Sequence, residues 1–126
     1  MEVPQTRCQT LLILTTLPDE ASAQVMATAL VTERLAACVN ILAPCHSVYR
    51  WQGEIESAKE IPVLIKTTAE RYKALEAAIR ARHPYELPEI IAVPIAHGLP
   101  EYLRWLITET RAETLIETAD GHPLTC

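Results

Sequence analysis

An α+β fold is predicted for this chain from three observations. Short apolar runs of strand length alternate with stretches of helical periodicity. Two of the runs are joined by a tight Gln52-Gly53 turn signal, as in a hairpin. The elements then follow the order β-α-β-β-α-β-α, whose first six members are the split βαβ, or ferredoxin-like, arrangement. At 126 residues the chain suits one domain over 1–126, with a core of about 10–110, a C-terminal helix and a tail over 111–126.

Residues 11–14 form an apolar run too short for a helix and read as a buried strand. Pro18, Asp19 and Glu20 open a helix over 18–34, because proline fits a first turn and acids there complement the helix dipole. Val25, Met26, Ala29 and Leu30 recur on one side of it, and Gln24, Thr28 and Thr32 on the other. Residues 38–51 are rich in Val, Ile and Tyr and read as one strand, with Pro44 at an edge or bulge. Residues 55–67 complete the hairpin. Thr67-Thr68-Ala69-Glu70 matches a capping box. Tyr72, Leu75 and Ile79 form the stripe of a second helix. His83-Pro84 ends it, since proline disfavours helical geometry in the residue before it. Residues 90–96 are a fourth strand interrupted by Pro94. Gly98 and Pro100 then open a third helix carrying Tyr102, Leu103, Leu106 and Ile107. The tail after Thr110 is polar and punctuated by Gly121-His122-Pro123, so little order is expected at its end.

Both helices of a split βαβ layer lie on one face of the sheet, and the other face should then be polar. Here it is not. Ile61, Val63 and Ile65 alternate with Pro62 and Leu64, Ile91 and Val93 with Ile90 and Ala92, and Leu11 and Ile13 with Leu12 and Leu14. Strands apolar on both sides need cover on both sides. Soluble monomers rarely expose large apolar patches, so a homo-oligomer is expected. The alternative cover is the third helix and tail folded back across the open face.

The formal net charge of −5 argues against nucleic acid or an anionic membrane as partner, because both need a basic surface. No apolar run approaches the roughly 18 residues of a membrane span. The first ten residues lack the basic-then-apolar pattern of a secretion signal, so a cytoplasmic location is expected. Cys8, Cys38, Cys45 and Cys126 show no C-x-x-C spacing and are expected to be free thiols in a reducing compartment.

Several blocks carry a family resemblance: Leu35-Ala36-Ala37-Cys38-Val39-Asn40-Ile41, Ser47-Val48-Tyr49-Arg50-Trp51-Gln52-Gly53, Ile65-Lys66-Thr67-Thr68 and His83-Pro84-Tyr85-Glu86-Leu87-Pro88-Glu89-Ile90. Together with Leu17-Pro18-Asp19-Glu20, and over about residues 10–110, they closely resemble the CutA (divalent-cation tolerance) family. The resemblance implies a tight homotrimer whose hairpins reach neighbouring subunits, shaped like the trimers of PII signalling proteins. It also implies a role in tolerance of copper and other divalent cations. The residues that match the family's copper ligands are Thr15, Arg82 and His83, where copper-binding members resemble one another in carrying a Cys and two His. Only His83 keeps a ligand, since a hydroxyl is a poor soft-metal ligand and guanidinium is none. Any copper or other divalent cation held this way is expected to bind weakly.

His83 has two readings of equal weight: a weak metal ligand, or a hydrogen-bonding residue at a subunit boundary. Cys45 and His46 place a thiol beside an imidazole, yet neighbouring strand residues face opposite ways unless Pro44 bulges the strand. Cys38 reads as a small core residue. Lys66, Arg82, Tyr85, Glu89 and Trp51 are candidates for a cleft between subunits, where a PII-like trimer would bind a small anionic ligand. That is the competing function. Lys66 beside a carboxylate such as Glu60 reads as an acid–base pair, an anion site or, more simply, a structural ion pair. Trp51 at a hairpin tip reads as an interface anchor, His97 as a loop residue and His122 as a tail residue. No G-x-S-x-G, P-loop or G-x-G-x-x-G motif occurs, and the chain has only three glycines, so no enzyme activity is expected.

Overall fold

The structure, a computed structural model, describes residues 8–112. Its elements are β1 (Thr10–Leu17), α1 (Glu20–Thr32), β2 (Cys38–Ile41), β3 (Cys45–Trp51), β4 (Glu54–Thr68), α2 (Tyr72–Arg82), β5 (Ile91–Pro94) and α3 (Pro100–Glu109), with a 3-10 turn (Ala69–Arg71) leading into α2. All strand pairs are antiparallel. The sheet runs β2-β4-β1-β5, with β3 on the other half of the long β4. This is the α+β order expected.

Helix α1 starts two residues later than the proline suggests, at Glu20. Asp19 is its cap, and its carboxylate accepts from the Ser22 N–H at 2.7 Å. The single strand expected over 38–51 is broken at residues 42–44, where Pro44 brings no N–H to a ladder. The Leu42 N–H still reaches the Pro62 carbonyl at 2.9 Å, so β3 resumes beside the same partner strand. The capping box is not formed. Thr68 makes no side-chain cap bond, and the Thr67 hydroxyl is instead spent on the buried Leu35 carbonyl at 2.7 Å. The tail over 113–126, with its Gly-His-Pro punctuation, lies outside the described residues.

Leu11, Ile13 and Leu17 of β1 and Ile61, Val63 and Ile65 of β4 point to one face. There they pack against Ala23, Met26 and Leu30 of α1 and Leu75 and Ile79 of α2. The opposite face is also apolar. Its rows follow from the register: Ile91, Leu14 and Leu64 in one, and Val93, Leu12, Lys66 and Cys38 in the next. Helix α3 lies against this face at one end, with Leu106 fully buried and the Lys66 ammonium 5.6 Å from the Tyr102 ring. It covers only part of the face, because Ile91 and Val93 remain 50% and 46% exposed.

Strand β4 outruns its neighbour. Its pairing with β1 ends at Ile61, while its pairing with β3 runs on to Glu54. The β3–β4 hairpin therefore projects by about 24 Å at roughly 3.4 Å per residue. Gln52 and Gly53 close it with φ of 49° and 83°, the left-handed pair of a type I′ turn. Val48 (71%) and Ile55 (64%) are exposed along it.

Candidate functional site

The candidate site lies at the base of the hairpin, where α2 ends. His83 is the C-cap of α2 with extended backbone, as expected for a residue before proline. That conformation turns its ring back against β1. Nε2–H donates to the Thr16 carbonyl at 2.7 Å, and Nδ1 accepts the Tyr85 N–H at 3.1 Å. The two bonds fix the tautomer and use the one free lone pair of a neutral imidazole. Imidazole binds a metal through such a lone pair, and here neither nitrogen offers one. His83 is buried, and it clips the loop after α2 to β1.

That clip delivers Tyr85 to Glu60. The two rings of His83 and Tyr85 lie 4.8 Å apart at 52°. The Tyr85 phenol lies near enough to the Glu60 carboxylate to feel its charge. The Thr16 hydroxyl donates to the same carboxylate at 3.1 Å. Burial, and then the Glu60 charge beside it, push the Tyr85 phenol up to about 12. Glu60 itself is only 8% exposed, yet no Lys or Arg among the described residues pairs with it. A buried carboxylate held by a single hydroxyl keeps part of its desolvation cost uncompensated.

The other candidate residues lie apart. Cys45 is half-buried opposite Glu60 and has its thiol 3.8 Å from the Ser47 hydroxyl, while His46 faces the other way opposite Lys59. The two therefore do not converge, and no bulge brings them together. No group of three or more His, Cys, Asp or Glu that could hold a metal ion occurs among the described residues. Lys66 shares the face of Glu60, but six residues separate them along β4, about 20 Å, and Lys66 lies against Tyr102. Arg82 pairs with Glu33 at 3.5 Å on the surface. Glu89 and His97 are exposed loop residues, and Trp51 sits half-buried beside the hairpin turn. Cys38 is half-buried, with its thiol 3.8 Å from the Asn40 amide oxygen. The Thr15 hydroxyl is buried on the helix side with no hydrogen-bond partner among the described residues. Cys38 and Cys45 are free thiols, but Cys8 is disulfide-bonded, which corrects the expectation of four free cysteines. Sequence reasoning paired Glu60 with a lysine and overlooked Thr16. The one signal was two consecutive hydroxyls, Thr15 and Thr16, interrupting the apolar run of β1.

Fold and site together define a split-βαβ protein with a projecting hairpin, a second apolar sheet face and a hydrogen-bonded His83–Thr16–Glu60 cluster, with Tyr85 beside it, where the two meet. This chain belongs to the CutA1 divalent ion tolerance protein family, whose profile matches residues 11–109. It is 50% identical to the divalent-cation tolerance protein CutA of Thermus thermophilus over 98 residues, which is 78% of this chain and 95% of the relative. It is 38% identical to the protein of that name from Citrobacter koseri, covering 82% and 90%. Among solved structures, CutA from Xylella fastidiosa superposes with a TM-score of 0.80 at 50% identity, covering 82% of this chain and 99% of the other. The protein from Archaeoglobus fulgidus, described as a periplasmic divalent cation tolerance protein, gives 0.78 at 36% identity over 81% and 99%. No helix among the described residues is long and apolar enough to cross a membrane.

Proposed function

We propose that this protein acts in divalent-cation tolerance as a homotrimer, without catalysis of its own and without a copper centre built on His83. The observation that carries this reading is the commitment of both His83 ring nitrogens to the Thr16 carbonyl and the Tyr85 N–H. Thr15 and Arg82, beside it in the copper-ligand pattern, supply no soft donor. Copper or another divalent cation held there would bind weakly. Self-association is supported by the half-exposed Ile91 and Val93 and by the bare apolar hairpin. We take the cytoplasm as the location, a reading supported by the free thiols of Cys38 and Cys45. The bonded Cys8 opposes it, since disulfides are rare in a reducing cytosol, and fractionation of the native cell separates the two.

The test is complementation. A host lacking its own gene is challenged with copper, zinc, cobalt and cadmium, with wild type or His83→Asn restored. Equal rescue by both is expected. Loss of copper rescue alone by a folded His83→Asn protein contradicts the reading, because it makes the imidazole a ligand.

A further inference from the structure

The chain has four cysteines, at positions 8, 38, 45 and 126. Cys38 and Cys45 are free thiols, while Cys8 is disulfide-bonded. Within one chain, the partner that remains for Cys8 is Cys126, which lies outside the described residues. Both cysteines also lie outside residues 11–109, the stretch that matches the family profile. The shared fold therefore does not call for this bond, and it belongs to what this chain adds at its two ends.

The fold brings those ends together. Cys8 is half-buried just before β1. The next residue, Gln9, accepts the Ala69 N–H on its carbonyl at 2.8 Å, at the start of the turn into α2. From that turn Arg71 Nε donates to the Arg34 carbonyl at 3.3 Å. Arg34 reaches α3 in turn: its guanidinium donates to the Glu109 carbonyl at 3.3 Å and lies 3.6 Å from the Glu109 carboxylate. The start of β1, the turn before α2, the end of α1 and the end of α3 thus share one end of the sheet. Thr110 is buried, and residues 111 and 112 are half-buried, so the chain leaves α3 along the domain surface. The residues from there to Cys126 reach about 45 Å when extended, more than the roughly 35 Å across a domain of this size.

We propose that Cys8 and Cys126 form one intramolecular disulfide that fastens the C-terminal segment to the start of β1. It forms by thiol–disulfide exchange with a small disulfide such as oxidised glutathione. One cysteine thiolate attacks that disulfide and releases a thiol, and the second attacks the mixed disulfide and releases the other. The two protein thiols lose two electrons and two protons, and the small disulfide takes them up to become two thiols. A segment tethered at Ala112 holds its cysteine near Cys8 at an effective concentration of about 1 mM, so closure within a chain outruns bonding between chains at micromolar protein. The loop it closes is nearly the whole sequence, and a cross-link restricts the unfolded state more the longer its loop. The bond is a redox-controlled brace, open in a reducing compartment and closed under oxidation. It stands apart from the metal-tolerance reading.

The test uses the full chain equilibrated with excess oxidised glutathione, alkylated in denaturant and digested with trypsin without reductant. Cleavage after Arg7, Arg34, Arg50 and Arg111 puts Cys8 in fragment 8–34, Cys38 and Cys45 together in fragment 35–50, and Cys126 in fragment 112–126. Fragments 8–34 and 112–126 are expected as one mass that dithiothreitol separates, from protein that runs as a single chain on a non-reducing denaturing gel. Oxidation is expected to raise the guanidinium midpoint by about 1 M at fixed protomer concentration, and to leave the midpoint of Cys126→Ser unmoved. Fragment 8–34 joined instead to 35–50, to glutathione or to a second copy of itself overturns the pairing. Cys8 and Cys126 both recovered as alkylated thiols, or a covalent multimer on the gel, overturns it too. An equal midpoint for oxidised and reduced wild type overturns the brace.

Discussion

Replacing His83 separates a structural clip from a metal ligand. His83→Ala strands two part-buried backbone groups, the Thr16 carbonyl and the Tyr85 N–H. Each loss costs about 1 kcal/mol net. Losing the contacts of a ring in a 9% exposed residue adds about 1 kcal/mol more. The total is about 3 kcal/mol. His83→Asn places an acceptor where the Tyr85 N–H, two residues on, can reach it in an Asx-turn, and is expected to recover about 1 kcal/mol. Urea unfolding at one fixed protomer concentration measures both, because assembly shifts apparent stability by mass action. A His83→Ala protein within about 0.5 kcal/mol of wild type refutes the clip. Titration with Cu(I) and Cu(II) is the companion measurement. Affinity is expected to be weak and equal in wild type and His83→Asn, and tight binding lost in the variant refutes the reasoning.

Tyr85 provides a pH signature. Its phenol titrates near 10 when unfolded and about 12 when folded, so the fold favours the protonated form. That contribution is complete below pH 10 and is lost as pH rises from 10 to 12. Ultraviolet titration of wild type minus Tyr85→Phe should show the high transition, and Glu60→Gln should move it toward 10. Thr15→Val removes a buried hydroxyl that has no partner among the described residues and is expected to raise stability by about 1 kcal/mol in the same urea assay. Gly53→Ala meets no atom within 4 Å but must hold φ at 83°, so about 1–2 kcal/mol of destabilisation is expected from backbone strain alone. Thermal melting checks it.

The fold was legible where periodicity and turn chemistry agree. Gln52-Gly53 marked the hairpin, and both residues take the left-handed backbone that the turn requires. His83-Pro84 marked the end of α2. The two-faced apolar pattern of β1, β4 and β5 was visible in plain alternation, and the register turns it into continuous rows. What stayed hidden depended on contacts far apart in sequence. The motif over 67–70 suggested a cap, yet a carbonyl thirty-two residues upstream claims the Thr67 hydroxyl. Glu60 invited pairing with Lys66, but six residues of extended chain hold them apart and Tyr102 of α3 takes the ammonium. Thr16 reached the site through both its backbone and its side chain, and nothing local in β1 announces that. A disulfide at Cys8 left no spacing signal.

Self-association is the central claim, because the open sheet face and the bare hairpin both depend on it. Sedimentation equilibrium of the purified full chain at micromolar concentration tests it most directly. A single species containing three chains of 14.0 kDa is expected, unchanged on tenfold dilution. A stable monomer of 14.0 kDa at that concentration contradicts the account.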